Sequence, residues 1–473
     1  MRSALGVNKE AIPYWSGSDY DTVYVLTFDS NAKLLGFQVE KQNYHPCSTS
    51  SAYKPCPADD AVSPTPLLED KAADSWPPHG GGGSANAEEA RWLVHEADWG
   101  YLSSLDLQKQ TPTAQVASYS DGAVGASTGR IFLYLMTEDP GESDEPPESK
   151  PFAAALTLSQ AILDPADYEK SQCGATKGTD PEDPRCAKLT LSGMVVPSKG
   201  TDIATGKAAL FARHPQMQTW PADHGFGVFE LHVTDVWMIA NYGGGSAVTP
   251  AAYYKAQPKH HQALDTQLAA AAHPEEVAIT APPPAWNQTA ARARWLVYNS
   301  LWTAISTQSV RLKGAPWGNV RSIADGVGPN STGLPFFYLP TPDPSAVDIR
   351  RDPRVTVSLS EAALGERVVN GGICGGPGSP GSPGSGGEAE DPTCGRIHLN
   401  GRAVPIHTSQ IGAAEAALKV RHPNAPWLAA GGAHTGGTYY TISIESIDFL
   451  DMYGGPAPIT VAEYLAAPSP GDQ

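Results

Sequence analysis

Ala90-Arg91-Trp92-Leu93-Val94 occurs a second time as Ala293-Arg294-Trp295-Leu296-Val297, and in each copy a further tryptophan, Trp99 or Trp302, closes the phrase. Five identical residues can recur by chance, so the residues that follow decide the matter. Ser127-Thr128-Gly129 before Phe132-Leu133-Tyr134-Leu135 returns as Ser331-Thr332-Gly333 before Phe336-Phe337-Tyr338-Leu339. Asp183-Pro184-Arg185-Cys186 returns as Asp391-Pro392-Thr393-Cys394, Arg213-His214-Pro215 as Arg421-His422-Pro423, and Tyr242-Gly243-Gly244 as Tyr453-Gly454-Gly455. The order never changes, and the offset grows from 203 residues (293 − 90) to 211 (453 − 242) as loops lengthen. A period this long is a duplicated domain, since solenoid units run a few tens of residues.

A chain of 473 residues gives each copy enough length to bury its own core. Hydrophobic residues at 41% and charged residues at 17% mark it as globular. A net charge of −18 repels phosphate backbones and anionic lipid, and no basic patch in the sequence offsets it. Nucleic acid is therefore not an expected partner. No segment has the length and apolarity to span a bilayer, so no membrane insertion is expected. The acid run from Glu138 to Glu148 is broken by prolines and reads as a solvated loop.

The six cysteines fall in three local pairs, Cys47 with Cys56, Cys173 with Cys186 and Cys374 with Cys394. The last two pairs occupy the same place in the two copies, and neither has the C-x-x-C spacing of zinc or redox motifs. Disulfides across such loops would stabilise by roughly 3 kcal/mol each and imply an oxidising compartment. The sequons Asn287-Gln288-Thr289 and Asn330-Ser331-Thr332 agree with that compartment. Met1 to Asn8 carries no apolar signal core. Either the thiols are reduced in a cytosolic or organellar chain, or the natural N-terminus lies upstream, and the pairing of the cysteines favours the second reading.

Along the chain, residues 1–45 read as a β-hairpin segment, with Tyr24–Phe28 and Leu34–Val39 about an Asp29-Ser30-Asn31 turn. Residues 46–86 form a Pro/Gly/Ser-rich linker in which Gly80 to Gly83 lack the Lys-Ser/Thr of a phosphate loop. The first domain, 87–257, opens with a helix over Ala87 to Asp98, capped by Asn86 with Glu89 and only half buried. Strands follow at Leu102–Leu105, Gln115–Tyr119, Ile131–Met136, Ala153–Leu158, Leu189–Val195, Val228–Val233 and Val236–Ile239, with a second helix at Thr205–Ala212. The pattern predicts a mainly β fold with helices, a small barrel with helices at its mouth. After a linker at 258–286, the domain at 287–468 repeats it from Ala290 to Leu465.

Several patterns invite a sharper reading. Gly125-Ala126-Ser127-Thr128-Gly129 fits the G-x-S-x-G nucleophile motif, but it precedes a strand instead of following one and reads as a turn. His214 and His422 stand at helix ends, where capping outweighs catalysis. His224 and His434 recur near a strand start and read as structural. His260-His261 has no third ligand, so no metal is expected. Trp99, Trp220 and their counterparts read as core or interface packing.

Each copy resembles the CREG family, the cellular repressors of adenoviral early-gene-stimulated transcription. The motifs that carry the likeness in the first copy begin with Ala90-Arg91, Asp98-Trp99-Gly100, Ser120-Asp121-Gly122, the paired cysteines and Leu191-Ser192-Gly193. Arg213-His214-Pro215 with Met217, Thr219-Trp220-Pro221, Val236-Trp237, Tyr242-Gly243-Gly244 and Val248-Thr249-Pro250 with Tyr253-Tyr254 complete them. The second copy matches less closely: Leu301 and Thr303 flank Trp302, and Pro426-Trp427-Leu428 stands for Thr219-Trp220-Pro221.

The resemblance implies two tandem split β-barrels of the FMN-binding, pyridoxamine-phosphate-oxidase-like kind, paired within the chain as a pseudo-dimer. It implies a secreted or endolysosomal glycoprotein, non-enzymatic, with a protein partner or receptor. Flavin-binding relatives seat the FMN phosphate on basic and hydroxyl side chains. The corresponding residues here are Ser118, Ser120, Thr128 and Arg130 in the first copy and Arg321, Ser322, Ser331 and Thr332 in the second, a vestigial pocket. Arg321 stands where the first copy has Ala117, and each cysteine loop resembles a plug of the pocket. No FMN cofactor is therefore expected. The alternative is an FMN-dependent oxidoreductase with its pocket near Arg321.

Overall fold

The computed structural model describes residues 20–28, 34–43, 84–106, 111–136, 150–163, 173, 180–221, 224–241, 244–260, 282–367, 388–423, 425–428 and 436–468. Met1–Pro78 and His79–Gln473 form two compact units. In the first, β1 (Tyr20–Phe28) and β2 (Leu34–Asn43) pair antiparallel, the hairpin predicted from sequence with both strands longer than the apolar cores suggest. Cys47 and Cys56, expected from the sequence to form a disulfide, both lie outside the described residues. So do most of the glycine-rich linker and the acid run Glu138–Glu148.

The second unit holds two β-barrels. The first begins with α1 (Ser84–Glu96) and continues with β3 (Trp99–Asp106), β4 (Thr111–Ser120), β5 (Ile131–Met136), β6 (Phe152–Ser159), β7 (Lys188–Pro197), α2 (Thr201–Arg213), β8 (Phe226–Ile239), β9 (Ser246–Val248) and α3 (Pro250–Lys255). Its strands run β5-β4-β3-β6-β7-β8-β9, and β8 pairs back onto β5, which closes the barrel. The second barrel has α4 (Thr289–Asn299), β10 (Trp302–Gln308), β11 (Pro316–Ser322), β12 (Phe337–Leu339), α5 (Pro344–Arg351), β13 (Arg354–Ser360), β14 (Arg396–Pro405), α6 (Ile411–Arg421), β15 (Thr438–Leu450), β16 (Ala457–Pro458) and α7 (Val461–Ala466). Its order is β11-β10-β13-β14-β15-β12, and the seam between the β11 side and β12 is bridged by the pair Ala324–Phe336. Pro335 and Pro340 bracket β12 and hold it to three residues, because proline cannot donate to a ladder. This barrel is nearly closed.

Several sequence expectations need correction. The helix expected at 87–98 begins at Ser84, so Asn86 lies inside it and is not its cap. Nor is it half buried: Ala90, Arg91, Trp92, Leu93 and Val94 are all buried, because α1 packs into the barrel core as well as against α3. The two strands expected at 228–233 and 236–239 are one, β8, with a bulge opposite Gly193. A Cβ on Gly193 would lie 2.0 Å from the His232 carbonyl oxygen, so the bulge needs glycine there. Gly401 repeats the arrangement against Ser443.

The repeated phrases are the clamps of each barrel. Arg91 Nη1 donates to the carbonyl of Ala256 just past α3 at 2.8 Å, and its Nη2 donates to Ser127 Oγ at 2.8 Å. Arg294 does the same for the end of α7, with Nη1 on Leu465 and Nη2 on Ser331. Arginine near the last carbonyls of a helix meets both unpaired acceptors and the negative end of the dipole. Gly129 and Gly333, both at φ +75°, let the backbone approach within reach of these guanidinium groups, where a Cβ would sit 2.7 Å away. Tyr253 and Tyr464 complete each clamp by donating to the carbonyls of Gly129 and Gly333.

The barrels meet through their own counterparts. Trp99, Tyr101, Val116, Leu301, Trp302, Ala304, Val320 and Ala389 form one buried apolar cluster drawn from both. Trp99 and Trp302 stack at 6.5 Å, and Ser103 Oγ lies 2.7 Å from Ser306 Oγ. Residue meeting equivalent residue is the geometry of an isologous interface. Arg311 of barrel two makes a bidentate pair with Asp235 of barrel one, between the rings of Trp237 and Trp317. At Gly318 the contact is tightest, with Thr157 Oγ1 at 2.1 Å and Ser103 Oγ at 2.8 Å from a built Cβ. Gly318→Ala is expected to lower the unfolding free energy by about 1–3 kcal/mol in urea titrations, and Gly318→Val by more.

Candidate functional site

The sequence-predicted pocket residues do not assemble into one site. Ser120 Oγ donates to the carbonyls of Gly122 and Ala209, and Thr128 Oγ1 to the carbonyl of Asp121. Arg130 pairs with Glu230 and Asp202, with its guanidinium over the Phe132 ring. Ser331 and Thr332 both serve Asp325, by a side-chain and a backbone bond respectively. Only Ser118 in barrel one, and Arg321 with Ser322 in barrel two, stand in cradles facing the other barrel.

Each cradle is filled by carboxylates from the opposite barrel. In barrel one, Ser118 Oγ donates to Glu388, and the Ser118 backbone N–H donates to Glu390 Oε2 at 3.0 Å. His214 Nδ1 lies 2.7 Å from Glu388 Oε2, and its Nε2 2.8 Å from the Tyr119 carbonyl. In barrel two, Ser322 Oγ donates to Asp180 at 2.7 Å and Ser322 N–H to Glu182 at 3.0 Å. His422 Nδ1 meets Asp180 at 2.6 Å, and Nε2 meets the Ile323 carbonyl at 2.8 Å. Arg321 adds a charge-assisted bond to Glu182 at 2.9 Å and a second to Asp343 on its own barrel. The imidazoles expected to cap helices instead cross to the partner barrel, which corrects that reading. At the ends of α2 and α6 these histidines serve through their backbone N–H groups, on the carbonyls of Leu210 and Leu418. Arg213 and Arg421 reach the ends of α1 and α4: Arg213 donates to the carbonyls of His95 and Glu96, and Arg421 to that of Tyr298.

The acid loops are shaped locally. In Asp183-Pro184-Arg185-Cys186, the Asp183 carboxylate accepts from the Arg185 N–H at 2.9 Å, and its carbonyl accepts from Cys186. Asp391 does the same for Thr393 and Cys394. Such self-capped turns are what an aspartate provides. Lys188 Nζ ties the first loop through the carbonyls of Pro181, Asp183 and Cys186, and Arg396 ties the second through those of Ala389 and Asp391. Of the three expected disulfides, the one between Cys173 and Cys186 is present. Cys394 is bonded as well, with its expected partner Cys374 outside the described residues. The third, between Cys47 and Cys56, falls wholly outside them.

Electrostatics separate the groups. Burial pushes Glu388 and Asp180 up, but the hydrogen bonds and charges of their histidines outweigh it, and both end below the usual carboxylate range. Burial depresses His214, yet the bond and charge of Glu388 prevail and lift it to about 9. Glu390 and Glu182 are each pushed up to about 7, first by burial and then by a neighbouring acid, against the opposing charge of Arg396 or Arg321. Lys188, beside Glu182, is pushed down to about 8 by its burial.

The other motifs resolve as structure. Ser127 of the G-x-S-x-G pattern donates to Asp121, and His95 Nδ1 meets the second oxygen of the same carboxylate at 2.7 Å. The aspartate lies between serine and histidine, so the imidazole does not face the hydroxyl as it does in a Ser-His-Asp triad. His260 stacks on Trp92 at 3.8 Å and meets Glu89 at 2.7 Å, while His261 and His434 lie outside the described residues. His224 is exposed near the Phe226 ring. Trp220 packs with Tyr134 and Phe226.

The family model for the CREG β-barrel matches residues 83–255 and again 284–466. The chain belongs to the CREG family. Protein CREG1 of Gallus gallus is 34% identical over 177 residues, which is 36% of this chain and 86% of that protein. Protein CREG1 of Homo sapiens is 35% identical over 172 residues, 36% of this chain and 73% of that protein. Among solved structures, a heme binding protein from Mycobacterium smegmatis matches at 22% identity and TM-score 0.28, over 36% of this chain and 61% of its own. A putative pyridoxamine 5′-phosphate oxidase from Listeria innocua matches at 12% identity and TM-score 0.22, over 33% of this chain and 94% of its own. Both CREG barrels of this chain are thus single family domains in tandem.

The resemblance read from the sequence implies an FMN seat, and the cradles do not fit its phosphate. Every Ser118, Ser322, His214 and His422 donor described above already faces a protein oxygen. Among the described residues the Nε–H of Arg321 is buried without a hydrogen-bond partner, beside two carboxylates. A dianion set against Glu182 and Asp343 meets net repulsion.

A neighbouring difference between the copies is testable. Tyr298 replaces His95, and its hydroxyl accepts from the Gly328 N–H, as His95 Nε2 does from Gly125. Asp325 Oδ1 is left buried with no hydrogen-bond partner among the described residues, and burial raises this carboxyl. Tyr298→His restores the missing donor and is expected to raise the unfolding free energy at pH 7 by about 1 kcal/mol, measured by urea denaturation.

Proposed function

We propose that this CREG-family chain is a non-enzymatic glycoprotein of the secretory or endolysosomal system that acts through recognition of a protein partner, its two barrels working as an intrachain pseudo-dimer. One observation carries the reading: both seats that would take a cofactor phosphate are filled by carboxylates exchanged between the barrels. A split barrel whose cradles are occupied by its own side chains keeps its outer surface for binding and offers no free seat in those cradles for a redox group. The bonded Cys173–Cys186 pair supports an oxidising compartment, and Asn287 and Asn330 are both exposed. Among the described residues no helix is long and apolar enough to cross a membrane.

The oxidoreductase alternative rests on Arg321, whose terminal nitrogens are held by Glu182 and Asp343. An absorbance scan decides between the two. The purified protein is expected to show no band at about 450 nm and to take up no added FMN. A flavin band that survives dialysis would overturn the non-enzymatic reading. For the compartment, protein expressed with a secretory leader is expected to lose mass on N-glycosidase treatment. Asn287→Gln with Asn330→Gln together should abolish that loss.

A further inference from the structure

Two exchanged acid loops latch the barrels together, and they are unequal. In barrel one, Glu388 and Glu390 face Ser118 of β4 and His214 beyond α2. Asp98 and Arg213 bear on the same site, and Arg396 and Asp391 flank it at the loop base. In barrel two, Asp180 and Glu182 face Ser322, His422 and Arg321, with Lys188 and Asp183 at the loop base and Asp343 beyond Arg321. The decisive difference is one residue. Glu182 meets a guanidinium in the cradle, whereas Glu390 meets only a backbone N–H among the described residues, because Ala117 occupies the place of Arg321.

We propose that the barrel-one latch is operated by protons: it seats Glu390 in its uncharged form under acidic conditions and loosens as the pH rises past neutral, while the latch of barrel two, held by Arg321, loosens less. The geometry supplies the cause, since a second carboxylate beside Glu388 in a buried cradle with one cation within bonding distance cannot ionise without loss. The windows follow from the directions of the shifts. Glu390, raised to about 7, contributes stability that is full below its ordinary 4.5 and is lost as the pH climbs through 7. Glu388, lowered, contributes above 4.5 and loses its share in stronger acid. His214, raised to about 9, contributes fully below 6.5 and is lost toward 9. All three favour the latch between pH 4.5 and 6.5. Glu182 is also raised to about 7 and loses stability over the same window, but once ionised it keeps its bond to Arg321, which limits how far barrel two opens.

Hydrogen exchange of the full chain, read by mass spectrometry as protection factors at pH 5.5 and pH 8, tests this. Peptides spanning Ser118–Tyr119 and Glu388–Arg396 are expected to lose about tenfold or more in protection across that interval, and those spanning Asp180–Cys186 less. Glu390→Gln keeps the uncharged form and should remove the loss at barrel one; Ala117→Arg should reduce it toward the behaviour of barrel two. A purely structural role for Glu390 would instead lower protection equally at both pH values. Equal wild-type protection at the two pH values overturns the proposal, and so does an undiminished loss in Glu390→Gln. If Glu390→Gln fails to fold, the wild-type comparison and Ala117→Arg decide.

Discussion

A carboxylate carried on a loop of one barrel and satisfied only in the cradle of the other is the constraint on which this molecule depends. Asp180 and Glu388 are buried charges, and buried charges persist only where they are paired and hydrogen-bonded. Their partners, His422 with Ser322 and His214 with Ser118, belong to the opposite copy. Neither barrel can therefore be satisfied alone in this conformation. The apolar cluster around Trp99 and Trp302 supplies area, at roughly 1.5–3 kcal/mol for each large side chain fully buried, but it is not directional. The acid loops supply register, because a bidentate cradle accepts one arrangement.

Around that exchange the rest of the chain holds its elements in place by cations on carbonyls. Arg91 and Arg294 fasten the last helix of each barrel, Arg213 and Arg421 fasten the end of the first helix, and Lys188 and Arg396 fasten the loop base. In each case a helix end or turn offers acceptors that its own backbone cannot satisfy. The short phrases that recur in the sequence recur for this reason. Arg-His-Pro is the clearest instance, in which one residue clamps a helix, the next crosses to the other barrel and the third opens a tight turn.

Where the copies differ, the physics of one shows what the other lacks. Tyr298 in place of His95 leaves Asp325 short of a donor, and Ala117 in place of Arg321 leaves Glu390 short of a cation. Both losses fall on buried acids, whose carboxyls are accordingly raised. Much of this was within reach of the sequence. Asp180-Pro181-Glu182-Asp183 and Glu388-Ala389-Glu390-Asp391 repeat at the offset of the Asp-Pro-x-Cys phrase, and an alignment begun three residues earlier would have singled them out. The sequence does not show that such acids cross, because a loop of acids and prolines reads equally well as solvated.

The sequence by itself determined the duplication, the mainly β class, the places of the strands and the family, since these rest on local periodicity and on phrases that stay in order. It placed the ends of α1 and β8 less well, because burial against the barrel and a bulge opposite Gly193 overrode local signals. Only the tertiary structure decided which residues form a site. Ser118, His214 and Glu388 are separated by 96 and 174 residues and come from two copies, and no period or spacing relates a donor to an acceptor supplied by the other repeat. The fold is written in neighbouring residues, whereas the cradle exists only once two barrels are built and docked, because a buried carboxylate is satisfied by whatever the packing brings to it.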